Sequence, residues 1–209
     1  MRHAVELLPT IDRLCRDHNV SPESIDELYV SAGPGSFTGL RIGITVARTL
    51  AWAGGVGVVR VPTLDVMAQN ALEVDDPTAH VAALLDAKRD RVYAATFVRR
   101  EGRYHRQTDP AEHDPAAFFA SLPEGCALIG EGVRYVEEAV NAAGLTVLPE
   151  STFRARAEVV YRLGRCYRTE IGFDPIERLV PIYIRRPEAE EVWDRRHGRG
   201  APSSEPGCG

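Results

Sequence analysis

The sequence predicts a layered α/β fold. Three observations carry that expectation. Apolar residues recur at helical spacing in several segments, these segments alternate with short runs of β-formers, and turn residues stand between them. A hairpin pattern over residues 91–107, with Glu101-Gly102 at its turn, argues against a purely parallel sheet.

The chain has 209 residues, 44% of them hydrophobic, enough for a buried core and for one large domain or two small ones. No run approaches the roughly 18 apolar residues of a membrane helix, and the start lacks a signal peptide's apolar core, so a cytoplasmic protein is expected. The net charge is −5, from 25 Lys and Arg against 30 Asp and Glu. Its clusters are small, Lys88-Arg89 and Arg195-Arg196, which argues against a chain-wide grip on nucleic acid phosphates. The cysteines at 15, 126, 166 and 208 show no CxxC spacing, so neither a disulfide framework nor a zinc knuckle is expected.

Residues 4–18 carry one apolar stripe, Ala4, Leu7, Leu8, Ile11, Leu14 and Cys15, and predict a helix, with Pro9 tolerated at a kink or restart. Ser21-Pro22-Glu23-Ser24 is a capping arrangement that predicts one short turn. Residues 28–32 read as a buried strand. They run straight into the glycine-rich loop 33–43, and a helix follows over 39–53. Residues 56–61 predict a second strand. Thr63 is expected to cap a helix over 64–72.

Asp75-Asp76-Pro77 is the clearest internal boundary. Beyond it stand an apolar run at 80–87, β-formers at 91–98 and a return strand at 103–107. A short helix from Pro115 carries Phe118 and Phe119. A strand at 126–129 ends at Gly130-Glu131-Gly132. Residues 135–143 predict a helix closed by Gly144, 145–148 an extended segment, and 155–169 a helix with Val159, Val160, Leu163 and Cys166 on one stripe. From Arg195 the composition turns to Gly, Pro, Ser and charge, so 195–209 is expected to be a disordered tail.

The loop Gly33-Pro34-Gly35-Ser36-Phe37-Thr38-Gly39-Leu40-Arg41-Ile42-Gly43 carries the most information. A strand, a glycine turn and a helix start make a ready anion site. Known nucleotide loops do not fit it. It has no lysine for a Walker A loop, and Thr38 stands where a dinucleotide fingerprint needs its third glycine. It is no nucleophile elbow for Ser36 or Thr38, and no His stands ready as a base. A purely structural reading makes it a tight turn with Phe37 plugged into the core. Gly39, Gly43 and Ala47, extended by Ala51, form a small-residue ridge that would let another helix or a sheet approach closely. Leu40, Ile44 and Leu50 form the neighbouring ridge. A helix apolar over more than one face must be covered on more than one side, which points to a partner.

The eleven residues of this loop resemble the signature of the TsaB (YeaZ) family. Leu85-Asp86-Ala87-Lys88-Arg89-Asp90-Arg91-Val92-Tyr93, Ile129-Gly130-Glu131-Gly132 and the segment Pro181 to Glu190 agree in order, and the likeness covers about residues 2–194. The resemblance implies a two-lobe fold of the sugar-kinase/Hsp70 type (ASKHA), with a first lobe at 1–75, a second at 76–194 and the tail at 195–209. Family members open with an apolar strand and two more, so it also implies a first lobe lacking its N-terminal strands. A further departure is Asp90-Arg91, where the family more often has Gly-Glu.

The function implied is that of a non-catalytic scaffold. Such a subunit supports threonylcarbamoyl transfer to adenosine 37 of tRNA by a catalytic TsaD-like partner, alongside a TsaE-like ATPase. It touches tRNA only through the complex, and whether it homodimerises when the partner is absent stays open. No cofactor, metal or catalytic residue is expected of this chain. The partner contact implied is through helices of the first lobe. Its candidate residues are Leu7, Ile11, Gly35, Phe37, Gly39, Arg41, Gly43 and Ala47, with Asp86 and Arg89 as further contacts. Asp86 reads equally as a turn-forming side chain. Glu188, Glu190 and Glu191 with Trp193 form a possible docking run. Two alternatives stay open: a nucleotide-dependent enzyme of the sugar-kinase-like fold, and a degenerate paralogue that no longer binds. No His-x-x-x-His pair is present to hold a metal.

Overall fold

The chain's computed structural model describes residues 2–185. The expectations for the 195–209 tail and for the acidic run with Trp193 lie outside these residues. A helix α1 (Arg2–Asp17) leads through a single 3₁₀ turn into strand β1 (Glu27–Ser31), helix α2 (Phe37–Gly54) and strand β2 (Gly57–Val61). β1 and β2 pair in parallel, Glu27 opposite Gly57 through Ser31 opposite Val61. Parallel neighbours need a crossover, and α2 supplies it.

The period of two then decides which helix each strand residue meets. Leu28, Val30 and Val58 pack with Ile44, Ala47 and Ala51 of α2. Tyr29 and Val61 face the other way, toward Val159, Val160 and Leu163 of helix α6 (Ala157–Ile171). The strand pair is thus covered on one face by the helix that joins it and on the other by a helix about a hundred residues later.

A second sheet holds β3 (His80–Lys88), β4 (Arg91–Arg100), β5 (Arg103–Arg106), β7 (Ala127–Ile129) and β8 (Thr146–Val147) in the order β5-β4-β3-β7-β8, with β6 (Ala111–His113) on β4. β3, β4 and β5 are antiparallel, whereas β7 runs parallel to β3. Its core is built on Val81, Leu84, Phe97, Leu128 and Ile129, all buried, with Phe118 and Phe119 of α4 (Pro115–Ala120) and Val140 of α5 (Glu137–Ala143). Asp114 caps α4, its Oδ1 accepting from Ala117 N at 3.1 Å, and Pro115 fills the first helical position.

Helix α3 (Thr63–Asn70) stands between the sheets, and every residue from Leu64 to Asn70 is buried. Leu64, Met67 and Ala68 enter the core of the larger sheet, whereas Val66 joins Val61 and α6. A helix buried all round must be covered on all sides.

Three local expectations need correction. Thr63 does not cap α3; its hydroxyl is drawn to the glycine loop, 2.9 Å from Ser31 Oγ and accepting from Gly33 N at 3.2 Å. Ser21 makes no cap bond and donates to Glu23 instead. Residues 135–143 are not one helix: a 3₁₀ segment ends at Tyr135, and α5 begins at Glu137 after Val136 leaves helical geometry at φ −136°. β6 carried no signal, being three residues whose pairing with Val92, Tyr93 and Ala94 defines it.

Candidate docking face and clefts

The glycine loop leaves β1 at Ala32, whose N–H bonds Val61 O, and passes through a cis Gly33-Pro34 bond. Gly33 has φ +117°, and a Cβ there would lie 2.6 Å from Ile182 O. This glycine is therefore required both by conformation and by the closeness of the C-terminal segment. Ile182 N donates to Ala32 O at 2.7 Å, so residues 173–183 lie as a strap across the loop and β2. Ser36 Oγ accepts from Gly39 N at 3.4 Å and starts α2; Gly55, at φ 69°, ends it.

The strap and the helix start form one exposed cluster. Arg41 lies over the Phe37 ring at 4.0 Å and donates from Nε to Tyr183 Oη at 3.2 Å; the two rings are 5.5 Å apart. Phe37 is 40% exposed, so it is not plugged into the core. Leu7 and Ile11 are half-buried on α1, which packs against α2, and Cys15 is buried as expected. Leu8 and Leu14 on the same helix stand about half exposed.

The small-residue ridge turns the other way. A Cβ on Gly43 would meet Val30 Cγ2 at 3.9 Å, and Ala47 and Ala51 are buried against the strand pair. Gly39 and Gly35 remain exposed. Ala47 and Ala51 thus pack on the chain's own sheet, whereas Gly43 is half-buried and has room for an ordinary contact there.

Asp86 and Arg89 belong to the larger sheet, at the β3–β4 turn. Asp86 Oδ1 accepts from Lys88 N at 2.7 Å, the turn bond that Asp favours, and its other oxygen pairs with Lys88 Nζ. Next to it in sequence, Leu85 lines a cleft of about 410 Å³ with Ser31, Pro34, Gly35, Ser36 and Glu131. No acidic or basic side chain of the glycine loop lines this cleft. Among the described residues no three His, Cys, Asp or Glu side chains converge as a metal site, and no helix is long and apolar enough to cross a membrane. Burial pushes the Cys126 thiol up to about 12, so it is an inert core group.

A second and larger cleft, about 800 Å³, was not foreseen. It opens between β2, β5 and the end of α6. Asp65 of α3, 6% exposed at its side chain, receives Arg106 Nη2 on both oxygens at 2.7 Å and Tyr167 Oη at 2.8 Å. Asp174 of the strap accepts from Arg60 N at 2.7 Å, Nε at 2.9 Å and Nη2 at 2.6 Å. Arg103 pairs with Glu170 at 3.2 Å. These residues are scattered over 115 positions in sequence (60 to 174), and only the packing of α3 against both β5 and α6 unites them.

The family model described as TsaD, tRNA N6-adenosine threonylcarbamoyltransferase, matches residues 1–151. The chain is 26% identical over 198 residues to the tRNA threonylcarbamoyladenosine biosynthesis protein TsaB of Bacillus subtilis (strain 168), covering 91% of this chain and 83% of that one. It is 27% identical over 201 residues to TsaB of Escherichia coli (strain K12), covering 94% and 85%. The solved structure of YeaZ from Pseudomonas aeruginosa is similar with a TM-score of 0.74 and 26% identity, over 88% of this chain and 85% of that one.

Proposed function

We infer the role of this chain from one premise: it belongs to the family of the tRNA N6-adenosine threonylcarbamoyltransferase TsaD, and within it resembles the TsaB and YeaZ proteins. On that premise the chain is a non-catalytic scaffold subunit. It holds a TsaD-like catalytic partner during threonylcarbamoyl transfer to adenosine 37 of tRNA. A TsaE-like ATPase joins the same assembly, tRNA is met only through the complex, and the free chain pairs with itself in the cytoplasm. On this reading the two sheets are the two lobes, parting after residue 75, with α6 returning from the second to cover the first.

The observation that carries the reading is the likeness to TsaB proteins over nine-tenths of the chain, joined to the kind of surface the glycine motif builds. Its side chains do not line up acids or bases around the cleft; they present Phe37 and Arg41 outward beside Tyr183 of the strap. Aromatic rings and an arginine clustered on the surface are what binding hot spots are enriched in. The docking face is therefore this cluster with the exposed side of α1, Leu8 and Leu14, rather than the inward ridge of Gly43 and Ala47.

The test is reconstitution with a TsaD-type enzyme, a TsaE-type ATPase, threonylcarbamoyl-adenylate and tRNA, with and without this chain. Product should form only with the chain present. Phe37→Ala and Arg41→Glu should each weaken binding to the TsaD-type partner by about 2 kcal/mol, roughly thirtyfold, with monomer melting unchanged. Wild-type affinity in both variants would move the docking face elsewhere. ATP turnover by the isolated chain would favour the sugar-kinase-like enzyme reading.

A further inference from the structure

The larger cleft has no part in the scaffold reading. Its floor is apolar, with Val59, Pro62, Leu163 and Ile182, and its rim is charged. Its volume falls in the range of small-molecule sites, and a dry floor under a few placed polar groups is the form such sites take.

Counting charges around the rim identifies what is missing. Arg60 is matched by Asp174, Arg106 by Asp65 and Arg103 by Glu170. Arg178 is the fourth arginine of the lining, and among the described residues it has no acidic partner. Among the described residues the rim thus carries one unanswered positive charge. The matched arginines are not all spent. Arg60 gives Nε and Nη2 to Asp174 and Nη1 to Val180 O, so each of its three nitrogens is engaged. Arg106 gives Nη2 to Asp65 and leaves Nε without a hydrogen bond among the described residues. Arg103 gives Nε to His105 Nε2 and Nη2 to Glu170 and also meets Cys166, which still leaves N–H groups among its five donors. A guanidinium already held by a carboxylate is a donor fixed in place, and fixed donors lose little freedom on meeting an anion.

The walls suit a flat body. Tyr167 lines the cleft with its hydroxyl tied to Asp65, so the ring is held, and Phe173 lines it from the strap. Burial, with Asp65 beside it, drives the Tyr167 hydroxyl upward in pKa, so it stays a neutral donor. We propose that this cleft binds a small organic anion, a single phosphate or carboxylate head on a planar, purine-sized body. The head lies toward Arg178 with the spare donors of Arg106 and Arg103, and the body lies on the apolar floor beside Tyr167.

The full chain, labelled with ¹⁵N, is titrated with AMP, indole-3-carboxylate, adenosine and inorganic phosphate. AMP or indole-3-carboxylate should shift the amides of residues 103–106 and 167–178 saturably, and whichever binds tighter identifies the head. Adenosine and phosphate, each lacking one half, should bind at least about tenfold more weakly. Arg178→Glu, at an exposed side chain, should weaken the anion about tenfold or more with melting unchanged, whereas Arg134→Ala, an exposed arginine outside the lining, should not. Binding with shifts confined to residues 33–39 and 154 would place the anion in the other cleft and overturn the proposal. So would wild-type affinity in Arg178→Glu, or no saturable shift at millimolar AMP and indole-3-carboxylate. None of these outcomes depends on a TsaD-type partner, so this test and that of the scaffold role fail separately.

Discussion

Single residues carry two of the sharper lessons. The β3–β4 connection is a two-residue turn, Arg89-Asp90, between the paired Lys88 and Arg91. Lys88, Arg89 and Asp90 all have positive φ, 65°, 55° and 56°. Such turns favour glycine or asparagine, because a Cβ in the left-handed region crowds the next carbonyl at about 1 kcal/mol or more per residue. The glycine that the resembled family more often has at this turn is absent here. Asp90→Gly should therefore raise stability by about 1 kcal/mol, read as a higher urea midpoint at unchanged slope. A midpoint that falls would show that glycine's extra freedom in the unfolded chain outweighs the relieved strain. Thr63 teaches the converse. Its place before a helix made a cap the natural reading, but the same hydroxyl meets Ser31 and Gly33 across the fold. Spacing along the chain cannot show a competitor that arrives from another strand.

Helix α3 is the element on which most depends. Its sequence predicted a helix, and Asp65 stands in the first turn, where an acidic side chain suits the helix dipole. Burial changes that meaning. With 6% of its side chain exposed, Asp65 is held by Arg106 on β5 and Tyr167 on α6, so one carboxylate ties three elements together. Removing one partner of such a pair leaves the other charge without its counterion in a half-buried site. Asp65→Ala should cost about 3 kcal/mol, and Tyr167→Phe, which removes one neutral donor, about 1 kcal/mol. The double variant should cost less than the sum, because the two changes delete one network. Chemical denaturation of the three variants measures this; additive losses would mean that Tyr167 and Asp65 do not act together.

On the scale of the whole molecule, what stands out is apolar surface near the first helices. Leu8 is 54% exposed, Leu14 50% and Trp52 81%. Scattered exposed residues are ordinary, but three large ones on two helices that pack together are apolar surface that association would cover. The isolated chain should therefore self-associate, and Leu14→Glu should raise the dimer dissociation constant at least about tenfold in sedimentation velocity, with the fold intact. A monomer at every concentration in the wild type would remove this face from the list of contact surfaces.

Read without any structure, the sequence determined the local elements and the family. Apolar residues at helical spacing placed α1, α2, α3 and α6, and β-formers between turn residues placed most strands. The eleven-residue loop pointed to its relatives, because a glycine needed for conformation and close approach leaves a mark in the sequence itself. Only the tertiary structure decided which face of each element is inside. The ridge of Gly43 and Ala47 reads the same whether a partner or the chain's own β1 lies against it, and the fold answers with Val30. It also decided the larger cleft, whose arginines and carboxylates come from α3, β2, β5, α6 and the strap. Periodicity speaks for neighbours three or four positions apart. A site made by bringing Asp65 to Tyr167 exists only once the helices have packed.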